Sequence, residues 1–297
     1  MTFTKIDGKY YDLNNFTHPG GKVVLSQCFG RDATILFKSH HPFVPKIKLE
    51  NILKIYEIDK LPDNYKLSPE EENVKKFNFN SNFSKELISE VKKHFQKKSK
   101  LENTSLLKTT KASKNRWFFI LIFSLVKLLV NIIWIKGYWI SLFLFPLFDW
   151  IANINIFHDA AHFALSSNEY VNLFFAYIFG NSITNIEHWF HTHNIAHHTY
   201  TNMKKKDPDL YSEFLLSNLN LFNRVILIFS TYWMKGLTIL PIFYLKNLIS
   251  KNVLIPISSN WNNLIFVCDR IFYLTYYILL PFFLFNFYKG FIFMIIP

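Results

Sequence analysis

Cysteine is scarce in this chain. Cys28 and Cys268 are the only two cysteines among 297 residues, and they lie in different regions. Two distant cysteines exclude a disulfide framework and a thiolate metal cluster. A metal site in this chain would therefore need other ligands.

Two further signals are missing. The first eight residues are polar and lack the apolar core of a cleavable signal peptide, so we expect the N-terminus to stay in the cytosol. The formal net charge is +12, but there is no basic stripe with interleaved aromatic residues and no nucleic-acid motif. We therefore expect no nucleic-acid partner.

Apolar residues, by contrast, are abundant and concentrated. Half of the chain is hydrophobic, with 33 phenylalanines, and the apolar runs follow Trp117. Residues 117–135 and 138–156 each approach the roughly 20 residues needed to cross a bilayer, and only Lys136 and Gly137 separate them. The lysine-rich stretch 97–116 precedes them, which predicts a membrane hairpin entered from the cytosol.

Later apolar segments are shorter or interrupted. Residues 171–183 predict an interfacial or re-entrant helix, and residues 221–245 suit the membrane surface. A third span is predicted from residue 264 or 271 to 287, and a fourth stretch begins at Gly290. Lys127, inside the first run, could snorkel, pair with Asp149 or face a bundle interior, and the sequence favours none of these.

The first hundred residues read as a soluble region. Residues 3–13 predict a β-hairpin bent at Asp7 and Gly8. Residues 62–116 read as a connector that contains an amphipathic helix over 83–95.

A histidine turn follows the predicted hairpin. His18 is followed by Pro19, Gly20 and Gly21, a turn poor in side chains that would let a flat macrocycle approach the backbone while His18 supplies an axial imidazole. A second imidazole lies downstream at His41 or its neighbour His40, about two helical turns after a plausible helix start.

Two histidine strings lie beside the apolar runs. His158 and His162 are four residues apart, as are His193 and His197, so each pair would share a helical face, and His198 would point about 100° away. Ionisable rings beside a membrane are costly unless they face a polar interior and bind something. Imidazoles suit iron, zinc or copper, and an all-nitrogen set with open positions suits iron that binds dioxygen.

The N-terminal region resembles the cytochrome b5 haem-binding domain over residues 3 to about 60. The resemblance rests on a Tyr-Asp-Leu before a Phe, on His18-Pro19-Gly20-Gly21, and on Asp-Ala-Thr followed by Phe and His-Pro. It implies haem b, with His18 and His41 as ligands beside the Pro19–Gly21 turn. His40 remains the alternative, because the two adjacent histidines leave the register open by one residue.

The whole chain resembles a membrane fatty-acid desaturase of the cytochrome b5-fusion, or front-end, type. The motifs are the following: His158-Asp159-x-x-His162, then Trp189-x-x-x-His193-x-x-x-His197-His198-x-Tyr200-Thr201-Asn202, then Asp207-Pro208-Asp209. The resemblance implies a non-haem di-iron centre that uses dioxygen to remove two hydrogens from an acyl chain carried by a lipid or by coenzyme A. It also implies electron delivery through the haem domain, and a carboxylate, Asp159, that fixes ring orientation.

The predicted organisation is multi-domain: a small α+β haem domain at 1–61, a linker with an amphipathic helix at 62–116, and an all-α membrane domain at 117–297. By resemblance the partners are a membrane, an acyl lipid and an NADH-dependent cytochrome b5 reductase. The expected location is the endoplasmic reticulum, with the haem domain and both histidine strings facing the cytosol.

The family's third histidine box has no counterpart here, since no histidine follows His198. We therefore expect the third domain to be incomplete at its C-terminal end, as in a truncated or non-catalytic product. Two other functions remain open. One is a sphingoid-base desaturase or fatty-acid hydroxylase, and the other is a membrane-anchored electron carrier.

Overall fold

The computed structural model describes residues 2–67, 81–180, 186–203, 207–208, 220, 268–269 and 271–295. The chain divides into two compact units, one formed mainly by residues up to Lys111 and one mainly by residues from Ala112 onward. The first contains strands and helices, and the described part of the second is helical. This confirms the predicted fold class, whereas the domain boundaries at 61 and 116 stay predictions.

A three-stranded antiparallel sheet opens the first unit. Its strands β1 (Phe3–Ile6), β2 (Lys9–Asp12) and β3 (Glu57–Ile58) lie in that order. Asp7 and Gly8 both adopt positive φ, 50° and 84°, the conformation that tight two-residue hairpin turns require. The predicted hairpin is therefore confirmed.

Three short helices complete this fold: α1 (Lys22–Ser26), α2 (Thr34–His40) and α3 (Lys46–Lys54). Their apolar faces and the inner face of the sheet form one core. Its buried members are Ile6, Tyr11, Leu13, Leu25, Phe29 and Ala33. The loop before α1 carries His18, and His41 directly follows α2; neither histidine belongs to this core.

The predicted amphipathic helix is longer than its apolar pattern. Helix α4 runs over Asn82–Leu101, and a short helix α5 follows at Leu106–Thr109. The Ser81 hydroxyl accepts the Ser84 N–H and caps the start. Lysines that lie beyond the apolar stripe continue α4, because they are good helix formers.

The second unit begins with α6 (Lys114–Ile135), which by length and composition is the one described helix that could cross a membrane. The chain reverses at Gly137, whose φ is 74°, and α7 (Ser141–Ala152) packs back on α6. This confirms the helical hairpin, whereas its two membrane crossings stay a prediction. The buried Lys127 ammonium forms an ion pair with Asp149 of α7, which settles the alternatives that the sequence left open.

Helical segments continue from α7 into the first histidine string. A π-helical segment, Asn153–Phe157, leads into α8 (His158–Ala161), and α9 (Glu169–Gly180) follows after a turn. The second string begins with α10 (Ile186–Trp189), continues as a π-helical segment (Phe190–His197) and ends in α11 (His198–Tyr200). Both strings are thus helical.

The C-terminal part also contributes to the core of the second unit. A shorter apolar helix covers Ile271–Leu284; it includes a π-helical segment at Leu274–Leu279 and then α12 (Leu280–Leu284), and α13 (Phe287–Ile295) comes next. Trp134, Phe145, Tyr277 and Phe293 pack together in one buried cluster. The predicted surface segment 221–245 lies outside the described residues.

Candidate functional sites

Two imidazoles face each other in the N-terminal unit. His18 lies before α1 and His41 directly follows α2, and their ring centres are 6.0 Å apart with the planes at 84°. Two axial imidazoles, each about 2 Å from a metal, hold their ring centres roughly 6 Å apart. The spacing of the pair therefore fits one shared metal, such as the iron of a haem.

Burial keeps both rings neutral, as metal ligation requires. Burial, together with the neighbouring His41, lowers the pKa of His18 to about 4. Burial likewise lowers the pKa of His41, against a smaller rise from its hydrogen bond to Phe37. Both imidazoles are therefore uncharged at neutral pH.

The backbone fixes each ring differently. His41 Nδ1 lies 2.7 Å from the Phe37 carbonyl oxygen; a proton on Nδ1 donates there and leaves the Nε2 lone pair for a metal. His18 Nδ1 instead accepts the Gly20 N–H at 3.0 Å, which places the ring proton on Nε2. Nε2 of His18 could bind a metal only after the ring proton moves to Nδ1, which would break the hydrogen bond from Gly20.

Gly20 leaves room for the His18 ring. A Cβ atom there would lie 3.0 Å from Cε1 and Nδ1 of His18, so a larger residue would displace the ring.

His40 differs from His41 in its exposure. The His40 ring is exposed, and its Nδ1 lies 2.9 Å from the Leu36 carbonyl oxygen. The geometry favours His41 over His40 as the partner of His18.

A second imidazole group lies in the helical unit. His158, His162 and His193 offer ligand atoms that all lie within 4.8 Å of one another, and all three rings are half-buried. Nε2 of His158 lies 3.2 Å from Nε2 of His193. Two ligands bound to one metal at about 2.1 Å, with bond angles near 90 to 110°, have nitrogens about 3.0 to 3.4 Å apart. The donor set and its spacing therefore fit a metal ion.

Close helix packing brings the two strings together. A Cβ atom at Gly180 would lie 2.3 Å from the Phe157 ring, so glycine lets α9 approach the segment just before His158. The buried Asn194 side chain donates to the Ala161 carbonyl at 2.8 Å and joins the second string to the first. Trp189 stacks on His193, with ring centres 4.3 Å apart.

His197 and His198 lie outside the three-imidazole group. The His197 ring stacks on His193 at 5.0 Å, and its Nδ1 lies 2.9 Å from Oδ1 of Asp207. Asp207 is 1% exposed, and its second oxygen accepts the Asn202 N–H at 2.8 Å. His198 is exposed in α11.

Asp207, from the Asp207-Pro208-Asp209 motif, supplies a carboxylate that contacts the His197 ring. The resemblance implies Asp159 for the role of orienting a histidine. Asp159 instead forms an ion pair with Arg116 at 2.7 Å, and Arg116 also donates to the Asn155 carbonyl at 2.7 Å. Within the described residues Asp159 makes no bond to a histidine, because its side chain points toward the start of α6.

Comparisons with known proteins cover most of the chain. Residues 2–62 match the family model described as cytochrome b5-like haem/steroid binding domain, and residues 133–297 match the model described as fatty acid desaturase. "Delta(5) fatty acid desaturase A" of Dictyostelium discoideum is 32% identical over 214 residues. "Acyl-lipid (8-3)-desaturase B" of the same organism is 31% identical over 211 residues, and "Delta(8)-fatty-acid desaturase" of Borago officinalis is 27% identical over 216.

Each of these three matches covers 69% of this chain and 42% of the relative. The chain thus spans about two fifths of the length of the curated relatives that it matches. No solved structure matches it.

Proposed function

Because the chain belongs to the fatty acid desaturase family, we propose that the protein introduces a double bond into the acyl chain of a lipid, with electrons relayed through its own haem domain. One observation carries the proposal. The three-imidazole group of the helical unit occurs in the same chain as the facing imidazoles of a cytochrome b5-like domain. The family implies iron at the first of these sites, and the domain implies haem at the second.

At the non-haem site, His158, His162 and His193 would hold iron, with His197 and His198 completing the protein's share of a di-iron ligand set. Iron bound there supplies the activation of dioxygen. The reaction balances when an acyl CH₂–CH₂ unit loses two hydrogens and dioxygen is reduced to two waters by two further electrons and two protons. Asp207 would hold the His197 ring with Nε2 free for the metal.

At the haem site, His18 and His41 would hold the haem iron. The Pro19–Gly20–Gly21 turn leaves the backbone bare of side chains that would obstruct a macrocycle. The electrons would come from an NADH-dependent cytochrome b5 reductase. Fusion of the haem domain to the desaturase domain raises the effective concentration of the electron donor.

The helical unit would be embedded in a membrane of the endoplasmic reticulum. Helix α6 supports this placement, since it is long and apolar and follows a lysine-rich stretch. Both histidine strings and the haem domain would face the cytosol.

The test is expression in yeast supplied with polyunsaturated precursors, followed by mass spectrometry of the fatty acids. The proposed function predicts a new double bond, against the non-catalytic product expected from the sequence, and H193A should abolish that double bond while leaving the haem spectrum intact. H40A should leave both intact. If the haem is reduced by the reductase but no new double bond forms, the protein is a membrane-anchored electron carrier instead.

A further inference from the structure

Helix α4 exposes an apolar stripe. Phe83, Leu87 and Val91 are spaced four residues apart, and Ile88 adjoins them; their exposed fractions are 74%, 51%, 38% and 42%. At 100° per residue, these four side chains lie within a 140° arc of the helix surface. Large apolar residues so exposed on one face indicate an interaction surface.

The opposite face of α4 is strongly cationic. The helix contains six lysines and two glutamates, and Lys85, Lys92, Lys93 and Lys100 lie on the arc opposite the stripe. Lys93 pairs with Glu90 at 2.6 Å on this polar side. A cationic face beside an apolar stripe is the pattern of helices that lie in the plane of an anionic bilayer surface.

Helix α4 contacts the rest of the N-terminal unit near its C-terminal end. Near its C-terminal end, the Phe95 ring packs against Phe43 of the N-terminal unit, with ring centres 5.6 Å apart. The stripe lies on the N-terminal side of this contact, and α4 contains no buried residue along its length. The stripe is therefore exposed although the helix contacts the N-terminal unit near its other end.

Chain length keeps α4 near the predicted membrane entry. Residues 102–113 separate Leu101 from the start of α6, and twelve residues extend at most about 43 Å. A bilayer with its head-group regions is about 40 to 45 Å thick. The chain therefore limits the end of α4 to about one bilayer thickness from the start of α6.

We propose that α4 is an in-plane membrane anchor that inserts Phe83, Leu87, Ile88 and Val91 into the surface of an anionic bilayer. Its lysines lie at the head-group level, where they attract anionic lipids. The anchor holds the N-terminal unit, including His18 and His41, against the membrane. This inference concerns lipid binding and stands independently of the proposed reaction.

The test uses the full chain, loaded with haem, in vesicles that contain phosphatidylglycerol and phosphatidylcholine. Single cysteines at positions 83, 87, 89 and 93, in a chain with Cys28 and Cys268 replaced by alanine, carry an environment-sensitive fluorophore. The haem spectrum checks the fold of each variant. We expect labels at 83 and 87 to be quenched by nitroxide-bearing lipids and to resist aqueous iodide several-fold better than the matched labels at 89 and 93.

Lipid charge provides the second arm of the test. In vesicles of phosphatidylcholine alone, or in high salt, the difference between the two pairs of labels should shrink. Equal iodide quenching at all four positions would overturn the proposal. Protection from iodide without quenching by nitroxide lipids would overturn it too, because the stripe would then be covered by protein.

Discussion

At the scale of single residues, burial prepares His18 for a metal and also makes the haem-free domain sensitive to acid. The pKa of His18 falls from 6.5 to about 4 in the folded chain. Between these values the unfolded chain binds a proton that the folded chain excludes, so stability falls as the pH drops from 6.5 toward 4. Urea unfolding of the haem-free N-terminal domain, followed by circular dichroism, should show this loss.

The matched variants for that experiment are H18Q and H40Q. H18Q removes one of the two buried imidazoles and should reduce the pH dependence, leaving the part due to His41. H40Q changes an exposed ring and should leave the pH dependence unchanged. Equal slopes for H18Q and the unmodified domain would contradict the account.

Asp207 should matter more than Asp159 for metal retention. D207N removes the acceptor for Nδ1–H of His197 and should weaken non-haem metal binding by roughly 10- to 100-fold, the usual effect of losing a carboxylate that orients a metal-binding histidine. D159N is the control, because Asp159 pairs with Arg116 and is 37% exposed. Metal content after dialysis against graded chelator measures both variants, and a greater loss in D159N would reverse the assignment.

These carboxylates also show where sequence reasoning ends at this scale. Asp159 lies inside the first histidine motif, and the resemblance therefore implies it as the orienting carboxylate. Asp207 lies ten residues after His197, and only the fold brings its carboxylate within 2.9 Å of the ring. The facing of His18 and His41, by contrast, agrees with the motif resemblance.

At the scale of secondary-structure elements, the ion pair between Lys127 and Asp149 links α6 to α7. Their side chains are 10% and 6% exposed, so removal of one partner leaves a buried charge without compensation. K127M should lower the free energy of unfolding in detergent by about 3 to 5 kcal/mol.

The matched variant is K127M combined with D149L. Since both charges are removed, stability should return to within about 1 kcal/mol of the unmodified protein or exceed it. A double variant as unstable as K127M would show that the pair does more than neutralise charge.

The π-helical segments explain a limit of pattern reading. Spacing of four residues placed His193 and His197 on one face of an α-helix, but Phe190–His197 is π-helical, with wider turns than the 3.6-residue repeat assumes. The stacked rings are still 5.0 Å apart. The four-residue spacing thus predicted correctly that the His193 and His197 rings lie side by side. It could not predict the π-helical backbone, because that conformation depends on tertiary packing.

At the scale of the whole molecule, the hairpin of α6 and α7 has a consequence for topology. Two crossings would return the chain to the side from which it entered, so the first histidine string should face the cytosol. An epitope tag at the exposed Ser167 should be digested by protease added to sealed microsomes. A lumenal marker serves as the control for vesicle integrity, and protection of the tag would contradict this orientation.

The central claim is that electrons pass from the haem of this chain to a histidine-bound iron site that desaturates an acyl chain. The most direct test is rapid mixing of the protein, its haem chemically reduced, with dioxygen and an acyl lipid, while haem oxidation and the fatty-acid product are measured together. One haem stores one electron, whereas each double bond needs two, so we predict lipid-dependent haem oxidation that rises in proportion to the product. In H158A we predict an intact haem spectrum without lipid-dependent oxidation. Lipid-dependent oxidation of the haem at the same rate in H158A, or oxidation without any new double bond, would contradict the account.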